Sequence, residues 1–282
     1  MRALIKLIKL SAFVILSISL MSFKLFEFAS APKLKLWQRL ESFNPFSHES
    51  IDHRQWDHIL KLYVRKDVND VNLINYCRLR KEGKIVLDDY IGVLNRTPIS
   101  LYSRNEQKAF WINLYNALTV QIITAYYPVN SILEIPSAWN KKLAKVEGVD
   151  LSLNDIQYKI LKPIWRDALI HYSINQGAIG SPNLLRIAFT GHNINQLIEL
   201  NAHSYINSNH ATKIINENLV VSKIYSWFKE DFGGTDQSII SHLKDYAEFE
   251  LLETLKEKNS IKNYKFDWSL NDSSSSMMKC VE

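Results

Sequence analysis

Apolar positions recur at helical spacing where the folded part of the chain begins. HRQWDHILKLYV sets Trp56, Ile59, Leu60 and Tyr63 on one face of a helix. VNLINY reads as a short strand, and VLDDYIGVLNRTP as a second amphipathic helix ended by Pro98. The segment from Ser103 to Tyr127 differs from both. Ser103 with Glu106 three residues later is a capping box, which predicts a helix start with two free amides satisfied. FWINLYNAL, inside that helix, is apolar almost all round and so belongs in a core, yet it carries Asn113 and Asn116. Carboxamides are unfavourable when buried unpaired. Both asparagines must therefore be aimed at something specific, either the backbone of a neighbouring segment or a ligand.

Further along, KKLAKVEGVDLSL alternates around Glu147-Gly148 as a hairpin does, and Asn154 is placed to cap a helix through DIQYKILKPIW. ALIHYSI is rich in β-formers and reads as a central strand running into the glycine-rich QGAIGSPN. AFTGHNINQLIELNAHSYI predicts a helix capped near Asn193, LVVS a strand, and SKIYSWFKEDF a short helix stopped by Gly233-Gly234. SIISHLKDYAEFELLETL predicts one long last helix and YKFDWSL a last strand. Helices and strands are interspersed without βαβ repetition or internal repeat. That predicts an α+β class: a helix-rich single domain over residues 51–270, with a small central, mostly antiparallel sheet. A flexible tail is expected over 271–282, behind SSSSMM.

The N-terminus changes the picture. MRALIKLIKL supplies Arg2, Lys6 and Lys9, and Leu10 to Phe23 then run without a charge. This is the basic start and apolar run of an export signal, so residues 1–23 are expected to be a signal peptide or signal anchor and 24–50 a linker. Ala29-Ser30-Ala31 has the small residues of a cleavage site. Pro32 and the intervening Lys24 and Glu27 disfavour cleavage there, so anchor and cleaved signal both remain open. Positive residues before the apolar run place the domain outside the cytoplasm, membrane-anchored or periplasmic. The net charge of +5 is dispersed along the chain and implies a solvated surface rather than a nucleic-acid footprint. The two cysteines, Cys77 and Cys280, lack metal-ligand spacing; a bridge between them has no supporting pattern, and Cys77 reads as a small apolar side chain.

For chemistry the best candidate is His171, delivered by ALIHYSI just before Gln176-Gly177-Ala178-Ile179-Gly180-Ser181. A histidine beside a glycine-rich loop suits a general base with Ser181 as nucleophile, though no third orienting residue is evident. The plain alternative is a hydrogen-bonded core histidine. Asp231-Phe232-Gly233 matches a kinase triplet by letters alone and reads as a helix stop. GAIGS lacks the lysine and spacing of a phosphate loop, and His53 and His58 fall on different helix faces. Neither a metal site nor a cofactor is expected.

AFWINLYNALTV, YYPVNSI, LSLNDIQYKIL, IHYSINQGAIGSPNL and SKIYSWFKEDF, in that order from about residue 75 to 232, resemble the successive blocks of the family catalogued as domain of unknown function 547. The resemblance implies cysteines where this chain has Gln176 and Ser181, and Glu-His where it has Gln157-Tyr158. It also implies Pro and Arg where Ala168 and Leu169 stand. If the family is enzymatic, this member is degenerate; if the family's cysteines form a disulfide, it has lost a staple.

Two functional readings follow. The first is an exported or membrane-tethered binding or assembly module. Asn113, Asn116, Gln157, Tyr158, Gln176, His171 and Ser181 would then line a cleft for a protein or cell-envelope ligand. The alternative is a hydrolase or acyl/peptidyl transferase of papain- or transglutaminase-like layout, using His171 and Ser181. A purely structural envelope protein would have no cleft.

Overall fold

Trp56, Ile59, Leu60 and Tyr63, the apolar positions of the first periodic segment, form the buried face of helix α1 (Arg54–Tyr63). The structure, a computed structural model, describes residues 40–274 and 280. The expected signal or anchor and the linker as far as residue 39 lie outside the described residues. After α1, strands β1 (Val64–Lys66) and β2 (Asn72–Ile74) pair antiparallel. Helical turns Tyr76–Arg78 and Leu79–Gly83 lead into α2 (Lys84–Arg96), which gives way to extended Thr97 ahead of Pro98.

Helix α3 (Arg104–Tyr126) is the axis of the fold, with 18 of its 23 residues buried, which is why its sequence shows no polar stripe. Its start is half a capping box. Ser103 Oγ accepts Glu106 N, but the Glu106 carboxylate does not turn back to Ser103. It accepts Ile51 N (3.2 Å) and Gly191 N (3.1 Å) from two other segments.

The hairpin β3 (Ala144–Val146) and β4 (Val149–Leu151) turns at Glu147 (φ 47°) and Gly148 (φ 80°), the two left-handed residues that a tight hairpin turn requires. The next helical run, Leu153 to Trp165, is capped by Ser152 and not by Asn154. Ser152 Oγ accepts Asp155 N, and the Asp155 carboxylate accepts Ser152 N (2.9 Å), while Asn154 bonds Asn140 instead.

The expected central strand at ALIHYSI is a 3₁₀ helix, Ala168–Tyr172. Local side-chain bonds override its β-rich composition: Asp167 Oδ1 accepts Leu169 N (2.9 Å), and Ser173 Oγ donates to Ile170 O (2.6 Å). With α3 in the middle, no single central sheet forms among the described residues. There are three small sheets, the largest made of β5 (Thr212–Ile215), β6 (Asn218–Ser222) and β7 (Asn263–Lys265). β6 pairs antiparallel with β5 and parallel with β7.

Between the second and third sheets runs α4 (Ile194–Ile206), which starts at Asn193 as expected, though the Asn193 carboxamide accepts Thr190 N (2.7 Å) instead of capping the helix. The expected last helix is two, α5 (Asp236–Tyr246) and α6 (Phe249–Lys256). Asn207 breaks it by donating to Tyr246 O (2.9 Å) and accepting Glu248 N (2.7 Å), one carboxamide serving both cut ends. The class is α+β and helix-rich, and no helix among the described residues is long and apolar enough to cross a membrane.

Two results overturn the reading of the C-terminus. Cys77 and Cys280 form a disulfide. The stretch 271–274 is stitched to the core: Ile74 N donates to Asn271 O (2.8 Å), Ser273 N to Ile74 O (2.9 Å), and Tyr127 Oη to Asp272 Oδ2 (2.7 Å). The small apolar role assigned to Cys77 is corrected, and so is the expected flexible tail over 271–274 and at Cys280; the rest of 275–282 lies outside the described residues.

Candidate functional site

Both asparagines of α3 bond the backbone of neighbouring segments. Asn113 donates to Phe189 O (2.7 Å) and accepts Phe189 N (3.2 Å). Asn116 donates to Ser173 O (2.9 Å) and accepts Asn175 N (2.9 Å). Both are buried, so the space expected to be a cleft between α3 and the 171–183 segment is a packed seam held by carboxamides. Gln157 is buried as well, on the helical turn Ile156–Leu161.

His171 occupies a different neighbourhood. The 3₁₀ turn Lys229–Phe232, stopped by left-handed Gly233 (φ 88°), brings Asp231 to it. His171 Nε2 lies 2.7 Å from Asp231 Oδ2, and Lys162 Nζ lies 2.6 Å from the same oxygen. The imidazole stacks on Phe228, with ring centroids 3.9 Å apart. Lys162 also sits 4.7 Å over the Phe228 ring, and Tyr158 packs against that ring from 6.0 Å. A second pair, Lys108 with Asp167 (3.1 Å), joins α3 to the turn that starts the His171 helix. Two lysines and two aspartates balance, leaving a half-buried network with no net charge when His171 is neutral.

The electrostatics keep it so. Burial lowers the His171 pKa and outweighs the opposing pull of Asp231. Burial alone would raise Asp231, but hydrogen bonds from His171 and Lys162 hold its carboxyl below the usual range. Burial, and then the charge of Asp231, push the Tyr158 phenol well up. A carboxylate only accepts, so neutral His171 carries its proton on Nε2 and leaves Nδ1 as a bare acceptor. That Nδ1 is buried and meets no hydrogen-bond partner among the described residues.

An orienting carboxylate therefore exists, and sequence reading missed it. In the sequence Asp231 reads only as part of a helix stop at the end of SKIYSWFKEDF. No periodic signal marks it, because the pairing depends on a contact across 60 residues. The nucleophile expected with His171 is not in place. The Ser181 hydroxyl accepts Gln176 N at 3.2 Å, and neither nitrogen of His171 bonds it. Gln176 Oε1 is buried without a partner. The two positions where the resemblance implies cysteines are thus neighbours of each other rather than of the imidazole.

Residues 99–206 fit the family model described as Protein of unknown function, DUF547. Neither the curated proteins nor the solved structures contain a match to the chain. The matched stretch is narrower than the expected 75–232; it holds α3, His171, Gln176 and Ser181 and stops short of Asp231. Over residues 99–206 this chain matches the DUF547 family model, in line with the resemblance read from its sequence blocks.

Proposed function

We propose that this chain is an extracytoplasmic, membrane-tethered binding or assembly module, and that its histidine centre is a structural remnant rather than a working active site. The carrying observation is His171 Nδ1, the atom a general base would present, buried without a partner while the Ser181 hydroxyl is engaged by the Gln176 amide. The Cys77–Cys280 disulfide supports placement in an oxidising compartment, and the basic-then-apolar start of the chain supports the tether. Its partner is a protein or cell-envelope ligand.

One observation favours the second reading, a hydrolase or acyl/peptidyl transferase: the Asp231–His171 pair has the base-and-orienter geometry of such enzymes. The full chain and its His171→Ala variant, assayed on ester, peptide and cell-wall peptide substrates, separate the two. No turnover dependent on His171 is expected. Such a turnover, or labelling of Ser181 by a fluorophosphonate, would overturn the binding-module reading.

A further inference from the structure

The first described residues run beside the turn that precedes α3. Asn44 N donates to Tyr102 O (3.1 Å), Gln107 Nε2 donates to Ser42 O (2.8 Å) and Ile99 O (2.9 Å), and Arg104 Nη2 donates to Glu41 O (2.7 Å). These bonds fix large apolar side chains outward: Phe46 is 84% exposed, Leu101 60% and Phe43 43%. The Arg104 guanidinium lies 4.0 Å over the Phe43 ring and 5.8 Å from that of half-buried Trp165, joining the rings into one patch. Apolar side chains held outward by backbone bonds, rather than collapsed onto the core, mark a contact surface.

Its place in the chain says what covers it. The uncharged run ends at Phe23, 20 residues before Phe43. Twenty residues reach at most about 70 Å even when fully extended. A tether that short holds the patch at high effective concentration against the surface in which the run is embedded, so a small patch suffices. Phenylalanine and tryptophan around an arginine suit a bilayer interface, with rings at the acyl boundary and the guanidinium among headgroups. Glu41 and Glu49 flank the patch, so attraction to anionic lipid is not the source of binding.

We propose that Phe43, Phe46, Leu101 and Trp165 seat the domain on the bilayer to which its N-terminus tethers it. The proposal takes its tether from the membrane-anchored reading above. The test uses the full chain in phosphatidylcholine vesicles, with a solvatochromic fluorophore on Phe46→Cys and, as control, on Val68→Cys, a position 98% exposed outside the patch. The probe at 46 is expected to shift to the blue and to be quenched several-fold more by doxyl-labelled lipid than the probe at 68, without dependence on salt. Equal quenching at both positions overturns the proposal. So does a blue shift without lipid quenching, which would mean that a second copy covers the patch. Carbonate extraction reads the tether separately. A chain retained by the membrane with an unquenched probe at 46 sinks the surface alone. A chain stripped by carbonate but quenched at 46 sinks the anchor and keeps the surface.

Discussion

Asn113 grips Phe189 by both of its backbone groups, donating to the carbonyl at 2.7 Å and accepting the amide at 3.2 Å, so a side chain on α3 stands in for a strand partner. Truncation to alanine would leave a buried N–H and a buried C=O unpaired. Each such group costs roughly 1–3 kcal/mol, so Asn113→Ala should lose about 3 kcal/mol in urea unfolding. Asn113→Asp should be worse, since a carboxylate oxygen would face the Phe189 carbonyl. A loss within experimental error of zero would show that water replaces the carboxamide.

Glu106 and Gly191 are matched in the same way. A Cβ at position 191 would stand 2.4 Å from Glu106 Oε1, so Gly191→Ala must push the carboxylate off the Gly191 and Ile51 amides. Glu106→Gln turns one acceptor into a donor that meets an N–H. Each variant is expected to lower stability by about 1–3 kcal/mol. The combination should fall short of the sum, because both break one contact. Additive losses in a double-mutant cycle would refute the coupling.

Where the pattern is local, the sequence could be read. The buried face of α1, the Glu147-Gly148 turn and the start of α4 at Asn193 rest on neighbours within one or two turns. The errors came where a single polar side chain reaches far. Asn207 cuts the last helix, and Glu106 abandons its own cap for Ile51 and Gly191; the 3₁₀ turn of the β-rich run is the exception, set by Asp167 only two residues from its partner Leu169. The site suffered most. Asn113 and Asn116 were rightly expected to aim at something specific, but backbone and ligand cannot be told apart without knowing which segment lies opposite. Asp231 was invisible for the same reason.

His53 sets a pH limit on the fold. Its Nδ1 lies 2.7 Å from Tyr90 Oη, its Nε2 is buried without a partner, and burial lowers its pKa to about 4. The unfolded chain protonates this histidine below about 6.5, the folded chain only below about 4. Between those values the unfolded chain binds more protons, so stability falls as pH falls, by about 3 kcal/mol over that window. His171, lowered in the same direction, adds to the loss. His53→Gln should flatten the decline between pH 6.5 and 4.5 in denaturant midpoints; an unchanged slope would assign the effect elsewhere.

The Cys77–Cys280 bridge spans a sequence separation of 203. In the chain-entropy account a cross-link over that distance removes unfolded-state freedom worth about 5 kcal/mol, an upper figure because denatured chains keep some structure. The Cys77→Ala/Cys280→Ala chain should unfold at lower denaturant by at least about 2 kcal/mol, and adding reductant to the native chain should reproduce the shift. The amides of Ile74 and Ser273, which bond across this C-terminal stretch, should exchange faster in the double variant. Unchanged exchange there would mean that the 271–274 stitches hold without the bridge.

The network at His171 offers a test of whether it is only structural. Asp231→Asn removes the charge that faces Lys162 at 2.6 Å and His171 at 2.7 Å, leaving a lysine only slightly exposed beside Phe228 and Tyr158. Breaking a buried pair on one side costs roughly 3–5 kcal/mol; the Asp231 carboxylate is partly open to water, so about 2 kcal/mol is expected here. Lys162→Met together with Asp231→Asn removes both charges, keeps a carboxamide oxygen to accept the His171 Nε2 proton, and keeps the apolar contacts with Phe228. It should recover most of that loss, since a balanced pair is replaceable by uncharged groups of similar size. If the network only braces the fold, the double variant keeps every binding property of the native chain. If the double variant is as stable as the native chain but has lost binding or turnover, the charges serve the ligand, and His171 returns as a functional group.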